Sequence, residues 1–122
     1  MPLHSTEGMH AGEFIISEGN GSISRGTGTV LSGENLVAGA VVGKITTTGK
    51  YVELNPGATN GSEAAAAILF DAVDASAADT DGVLMERLCE VNGAEITWPT
   101  GITANEKDAA IAELAALNIL VR

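Results

Sequence analysis

Residues 91–122, VNGAEITWPTGITANEKDAAIAELAALNILVR, carry the most closely spaced structural signals in the chain. Asn92-Gly93 supplies the positive φ angles that a two-residue hairpin turn requires. Apolar and polar residues then alternate over residues 94–98, which is typical of a strand with one buried face, and Pro99 ends it by removing a backbone donor. The pattern predicts a hairpin centred on Asn92-Gly93, with Trp98 as a core anchor.

Beyond this strand the pattern becomes helical. Thr103 and Glu106 stand at the spacing of a capping box, in which each side chain satisfies a backbone N–H at the start of a helix. Asn118 suits the left-handed position after the helix, and the apolar residues 119–121 predict a last strand. The expected buried side of the helix carries Ile111, Leu114 and Ala115. The residues that we expect to anchor this part of the fold are Trp98, Pro99, Thr103 and Glu106.

Composition limits the class of protein. A chain of 122 residues with 45% hydrophobic side chains is long enough for one domain with its own core. Six basic and 16 acidic residues give a formal net charge of −10, which disfavours nucleic acid as a partner because such binding depends on Lys and Arg neutralising phosphates. The single Cys89 cannot form an internal disulfide. No stretch has the apolar length of a membrane span or the order of a signal peptide, so we expect a soluble protein made in the cytoplasm, without a membrane partner.

The middle of the chain is typical of β-structure. Residues 36–45 are rich in β-branched side chains and residues 50–54 form a second such run after a Thr-rich connection, so the two are expected to form a hairpin. Gly39 and Gly43 indicate close backbone packing or a bulge within it. Residues 64–73 predict another buried strand. With only one helix evident, the pattern favours a mainly β fold.

A further strand is predicted over residues 83–91, with one face formed by Val83, Met85, Arg87, Cys89 and Val91. Arg87 is the odd member of this apolar face. Arg87 either lies at the edge of this face and extends to water, or crosses a subunit interface to a carboxylate. We favour the first interpretation. Cys89 is expected to be a small core residue rather than a nucleophile, because neither His can be placed beside it.

The N-terminal part contains one apolar run, Phe14-Ile15-Ile16, followed by the loose Gly19-Asn20-Gly21. It is either an edge strand of the domain or an arm that adds a strand to a partner's sheet. Burying the run gains roughly 5–9 kcal/mol, whereas fixing about five arm residues costs about 1–2 kcal/mol each. A lone arm would therefore bind weakly, and several arms would have to act together.

Other motifs give little support for an enzyme or a cofactor. Residues 26–31 lack the third Gly of a dinucleotide fingerprint, and no Gly-Lys-Ser/Thr follows to make a P-loop. The acidic residues 71–81 do not have the ligand spacing of a calcium loop, so no metal is expected. A hydrolase that uses Asp71 or Asp74 would lack a partner base. A free-standing β-barrel module that binds a small ligand or carbohydrate stays open as an alternative, and an aromatic-lined pocket would favour it.

Three stretches resemble the lambda-type head decoration proteins of tailed bacteriophages. They are SISRGTGTVLSGENL (residues 22–36), AGAVVGKITTTGKYVELNPGATNGSEAAAAIL (residues 38–69) and EVNGAEITWPTGITANEKDAAIAELAALNILVR (residues 90–122). The resemblance implies a small β-barrel or β-tulip-like domain over residues 31–122, with one short C-terminal α-helix, and an extended capsid-binding arm over residues 1–30.

The resemblance also implies a role without catalysis. A homotrimer would sit on the outer surface of the capsid at local threefold positions, bind the major capsid protein and stabilise the expanded head against the pressure of packaged DNA. The arm residues expected to contact the capsid are Glu13, Phe14, Ile15, Ile16, Ser17, Ser24, Arg25, Thr29 and Val30.

Overall fold

The computed structural model describes residues 11–21 and 23–122, and within these residues it contains ten strands and one helix. In chain order they are β1 (Ile15–Glu18), β2 (Arg25–Val30), β3 (Asn35–Leu36), β4 (Val41–Lys44), β5 (Tyr51–Glu53), β6 (Ala65–Leu69), β7 (Val73–Asp74), β8 (Thr80–Met85), β9 (Cys89–Val91), α1 (Ala104–Ala116) and β10 (Ile119–Val121). This order confirms the mainly β class with one short C-terminal helix.

Five strands close into a barrel in the order β2-β5-β4-β6-β8. The predicted hairpin is confirmed, since β4 and β5 pair antiparallel from Val42 with Glu53 to Lys44 with Tyr51. β8 pairs antiparallel with β2 along its length, and a short parallel pairing of Val30 with Tyr51 closes the barrel. The short pair β3-β7 lies outside this closed sheet.

A second sheet, in the order β1-β9-β10, packs beside the barrel. β1 is antiparallel to β9, and β10 is parallel to β9 after the crossover through α1. The last strand predicted from residues 119–121 is therefore confirmed.

Two hydrophobic cores lie on opposite faces of the wall β4-β6-β8. The inner core fills the barrel and includes Val42, Leu69 and Leu84. The outer core lies between the wall, α1 and the second sheet, and includes Phe14, Met85 and several residues of these elements. Adjacent residues of one strand therefore point into different cores, which explains why the apolar runs in the sequence are continuous rather than alternating.

The helix begins as predicted. Thr103 caps it, with its hydroxyl accepting from the N–H of Glu106 at 3.1 Å and the Glu106 carboxylate accepting from the Thr103 N–H at 2.9 Å. Asn118, the residue after the C-cap Leu117, has a φ of 62°, which confirms the left-handed position. The buried side of the helix differs in part from the predicted one. Ala110 and Leu114 are buried, whereas Ala115, which was expected to be buried, is exposed.

The hairpin predicted at Asn92-Gly93 is wrong. The Asn92 carbonyl accepts from the N–H groups of Glu95 and Ile96, so the chain turns in a helical sense and residues 94–98 form only a single bridge, between Thr97 and Ala40. The strand predicted over residues 83–91 is likewise interrupted between β8 and β9. The local turn propensity is overridden by the N–H of Asn92, which donates to the carbonyl of Phe14 at 2.7 Å.

Two of the expected anchors follow this turn. Pro99 is buried, and Trp98 is partly buried at the margin of the outer core. The ammonium of Lys107 lies 5.6 Å from the Trp98 ring centroid, so the ring is enclosed between core and cation.

The bulge predicted at Gly43 gives a first test. A Cβ at Gly43 would lie 2.5 Å from the backbone oxygen of Ser62, where β4 shifts register against β6. We expect Gly43→Ala to lower the free energy of unfolding by about 1–3 kcal/mol, because backbone cannot yield as a flexible side chain can. Urea unfolding followed by circular dichroism measures this. Gly57→Ala is the matched control, since its Cβ would come no closer than 3.7 Å to Asn55, and equal losses in both variants would contradict the packing described here.

Candidate interaction surface

The described part of the predicted arm is integrated into the fold. Phe14 has 0% of its surface exposed and lies in the outer core. β1 pairs with β9, and residues 25–30 form a barrel strand whose last residue, Val30, is buried in the inner core. Residues 1–10 and Ser22 lie outside the described residues. The sequence left two interpretations of this segment, an edge strand of the domain and an arm that binds a partner. The structure shows the edge strand, and the partner-binding role stays a prediction.

The sheet β1-β9-β10 has one buried face and one face that points away from the protein. Ser17, Glu90 and Leu120 are in register across the three strands and share the exposed side. Ile16 lies at a register shift in β1 and is 55% exposed. A bulge of this kind directs an extra side chain out of the regular alternation.

Two further apolar side chains extend this surface at the end of β1. Ile23 is 52% exposed and Leu88, directly before β9, is 45% exposed. The two are brought close because the N–H of Gly19 donates to the carbonyl of Leu88, while Ile23 packs against Gly19 so tightly that no Cβ would fit there. We call the combined surface the outer face, formed by Ile16, Ser17, Ile23, Leu88, Glu90, Leu120 and Arg122.

Buried Ser24 holds this corner of the outer face together. Its hydroxyl accepts from the N–H of Gly19 at 2.8 Å and donates to the carbonyl of Leu88 at 2.8 Å. Its carbonyl accepts from the N–H of Glu86 at 2.8 Å. One serine therefore ties the turn after β1 to the connection between β8 and β9, and it has 0% of its surface exposed.

Leu88 is held in an unfavourable backbone conformation. Its φ of 52° lies in the left-handed region, which costs a residue with a Cβ roughly 1–2 kcal/mol. The contacts of Ser24 and Gly19 maintain it, and the result is a large apolar side chain presented to solvent. Strained residues of this kind concentrate at functional sites.

The charges around the outer face are paired within the chain. Arg122 contacts Glu90 at 2.7 Å, and Arg25 contacts Glu18 at 3.0 Å. Arg122 and Ser17 both donate to the Glu90 carboxylate and hold its pKa below the usual range. Such exposed pairs add little stability, but they leave this side of the molecule electrically balanced although the chain carries a formal charge of −10.

Two of the arginines that sequence reasoning singled out lie near this surface. Arg87 is exposed, donates to the carbonyl of Ile23 at 2.9 Å and pairs with Glu86. The guanidinium of Arg25 lies 4.1 Å from the Phe70 ring centroid. Both cations are thus engaged within the chain, and the predicted contact of Arg87 across a subunit interface stays a prediction.

Among the described residues, the edge of β1 away from β9 is not paired with another strand. β1 is the terminal strand in the order β1-β9-β10, and within residues 11–21 and 23–122 no strand pairs with its other edge. An open edge offers backbone donors and acceptors to an extended segment of a partner. The outer face and this edge are contiguous at Ile16.

Outside the outer face, the described residues show few groups that could bind or react with a ligand. Cys89 is buried, and burial, with a smaller contribution from Glu18, raises the pKa of its thiol to about 11. In the described ranges, no three His, Cys, Asp or Glu side chains are grouped so as to hold a metal ion. No helix of the described chain is long and apolar enough to cross a membrane. A cleft of about 630 Å³ is lined by Glu34, Glu53 and Glu106 among others and by no aromatic side chain, so it does not favour the ligand-binding alternative.

One known protein family matches the chain. The family model described as bacteriophage lambda head decoration protein D matches residues 4–119, nearly the whole chain. The resemblance found in the sequence is thereby confirmed. No curated protein matches the chain.

Ser24 provides a test of how the outer face is built. Ser24→Ala removes one of the two acceptors of the Gly19 N–H and the hydroxyl donor of the Leu88 carbonyl, while the Gly19 N–H keeps its bond to that carbonyl. We expect a loss of about 1–2 kcal/mol in the free energy of unfolding, the net value of two hydrogen bonds. Hydrogen exchange of the Gly19 amide should accelerate at the same time. Ser17→Ala, which removes only an exposed bond to Glu90, should stay within about 0.5 kcal/mol of the unchanged chain. Slow exchange at Gly19 in Ser24→Ala would show that the corner is held by other contacts.

Cys89 predicts a dependence of stability on alkaline pH. Its pKa is raised to about 11 in the folded chain, so the unfolded thiol ionises first and stability falls as pH rises between about 9 and 11. Below pH 9 this contribution is fully present. Urea unfolding of the unchanged chain and of Cys89→Ala across this range isolates the effect, because Lys and Tyr titrate alike in both. A constant difference between the two proteins would contradict burial of the thiol.

Proposed function

The chain belongs to the bacteriophage lambda head decoration protein D family, and from this membership we propose that it binds the outer surface of the expanded phage head as a homotrimer. It decorates the virion capsid as a structural protein. In the proposal it contacts the major capsid protein at local threefold positions and stabilises the shell against the pressure of packaged DNA. The role is mechanical and involves no catalysis.

The observation that carries the proposal is the outer face together with the edge of β1 that no strand of the described residues covers. Exposed Ile16, Ile23 and Leu88 give it an apolar surface, while the neighbouring charges are paired within the chain. A surface without unpaired charge is inexpensive to remove from water. The β1 edge can extend a sheet of the capsid protein, so that backbone hydrogen bonds add to apolar burial.

The magnitudes favour several copies acting together. Full burial of one such side chain gains about 1.5–3 kcal/mol, and roughly half of each is still exposed, so the three gain about 2–4 kcal/mol per copy. Alone this corresponds to a dissociation constant of about 1 mM or weaker. When three copies are joined in a trimer, the second and third contacts form at a high effective concentration. Weak contacts of a single subunit then produce a long-lived attachment.

The distribution of charge supports an outward-facing position. The formal charge of −10 would repel the phosphates of packaged DNA. On the outside of the shell the same charge faces water and keeps decorated heads apart. The balanced outer face is suited to close contact with the capsid.

A substitution at Ile16 tests the proposal. Ile16→Glu places a charge on the outer face, and we expect at least a tenfold loss of affinity for heads, about 1.4 kcal/mol or more. Co-sedimentation with decoration-free expanded heads of the corresponding phage measures the affinity. Val37→Glu is the matched control, because Val37 is similarly exposed at 48% and lies outside the outer face.

The two variants separate the possible outcomes. Binding by the unchanged chain that is weakened by Ile16→Glu and not by Val37→Glu supports the assigned surface. Failure of the folded, unchanged chain to bind heads would contradict the proposed decoration role. These substitutions are sharper than removal of residues 1–21, because that truncation would also remove Phe14 from the outer core.

A further inference from the structure

A groove of about 470 Å³ lies at one end of the barrel, where β4 and β8 end and β6 begins. Ala64, Ala66 and Leu117 supply much of its apolar lining, and it shares no residue with the outer face. Its charged lining residues are Lys44, Glu86 and Arg87. The groove is therefore a second surface, which adjoins the outer face at Arg87, the residue that donates to the carbonyl of Ile23.

Tyr51 closes the barrel beneath this groove. Its ring packs on Gly28, where a Cβ would lie 2.5 Å from the ring, and its hydroxyl lies 3.5 Å from the Glu86 carboxylate. Burial, followed by the charge of Glu86, raises the pKa of the hydroxyl, so the group stays protonated at neutral pH. The base of the groove is thus fixed by packing and is not a flexible opening.

The charge of the groove is opposite to that of the chain. Four of the six cations, at residues 25, 50, 87 and 122, form ion pairs within the described chain. Lys44 forms no ion pair there, and its ammonium lies 5.7 Å from the Tyr51 ring centroid. Since Glu86 is paired with Arg87, Lys44 gives the groove a net positive charge in a molecule whose formal charge is −10.

We propose that this groove is the subunit contact of the homotrimer and receives a carboxylate-bearing surface of a second copy of the chain. The inference rests on the trimer of the proposed function. A closed ring of three subunits needs two different surfaces that complement each other. The groove provides the concave, cationic one, and the 16 acidic residues of each copy provide the charge that it attracts.

Charge reversal in the groove tests the assignment. The double variant Lys44→Glu, Arg87→Glu should associate at least tenfold more weakly and sediment as a monomer at concentrations where the unchanged chain sediments as a trimer. Lys107→Glu is the control for a loss of cationic charge, because Lys107 also forms no ion pair in the described chain and contacts Trp98 instead. It should remain trimeric. Sedimentation velocity gives the masses, and thermal unfolding followed by circular dichroism shows that each variant is folded.

A second variant keeps the test decisive if the double variant does not fold. Ala64→Trp fills the groove without changing its charge and should also give monomers. A folded Ala64→Trp or double variant that stays trimeric would overturn the groove assignment and leave the decoration role intact. A monomeric unchanged chain would overturn the trimer itself, whereas head binding by the Ile16 series reports on decoration independently.

Discussion

The structure depends on one wall of three strands, β4-β6-β8, that is buried on both sides. Val41 and Met85 enter the outer core while their neighbours Val42 and Leu84 enter the inner core. Where both faces of a strand are buried, as at Val41-Val42 and Leu84-Met85, no position tolerates a charge and the backbone must be paired. The barrel supplies that pairing on one side, and α1 and the second sheet cover the other. Neither core would be closed without this wall.

This arrangement fixes the segment that precedes the barrel. Phe14 occupies the outer core, so β1 starts from a buried anchor, and Ser24 ties the turn after β1 to the carbonyl of Leu88. The apolar residues of the outer face are therefore presented by a rigid base. Binding through a surface that is already ordered avoids the entropic cost of arranging it at the moment of contact. The strain at Leu88 is maintained by the same hydrogen bonds and the same packed base.

Local signals in the sequence were sufficient for some elements and not for others. The capping box at Thr103, the left-handed Asn118 and the β4-β5 hairpin depend on neighbours within a few residues, and all three could be predicted. Asn92-Gly93 has the same quality of local signal, yet the N–H of Asn92 donates to Phe14, 78 positions earlier, and the chain turns differently. Long-range pairing of this kind leaves no trace in a window of ten residues.

The outer face shows the same division between local and distant information. Ile16 belongs to an apolar run that the sequence displays. Ile23 and Leu88 are single apolar residues that are brought together by the hydrogen bonds of Ser24, Gly19 and Arg87. The total charge can be predicted from the sequence, but the charge of one side of the molecule cannot. The total of −10 can be counted, but which side is balanced depends on pairs such as Glu90 with Arg122, 32 positions apart. Because these pairs form only in the folded chain, folding itself separates an acidic surface that repels other molecules from a neutral, apolar one that can adhere.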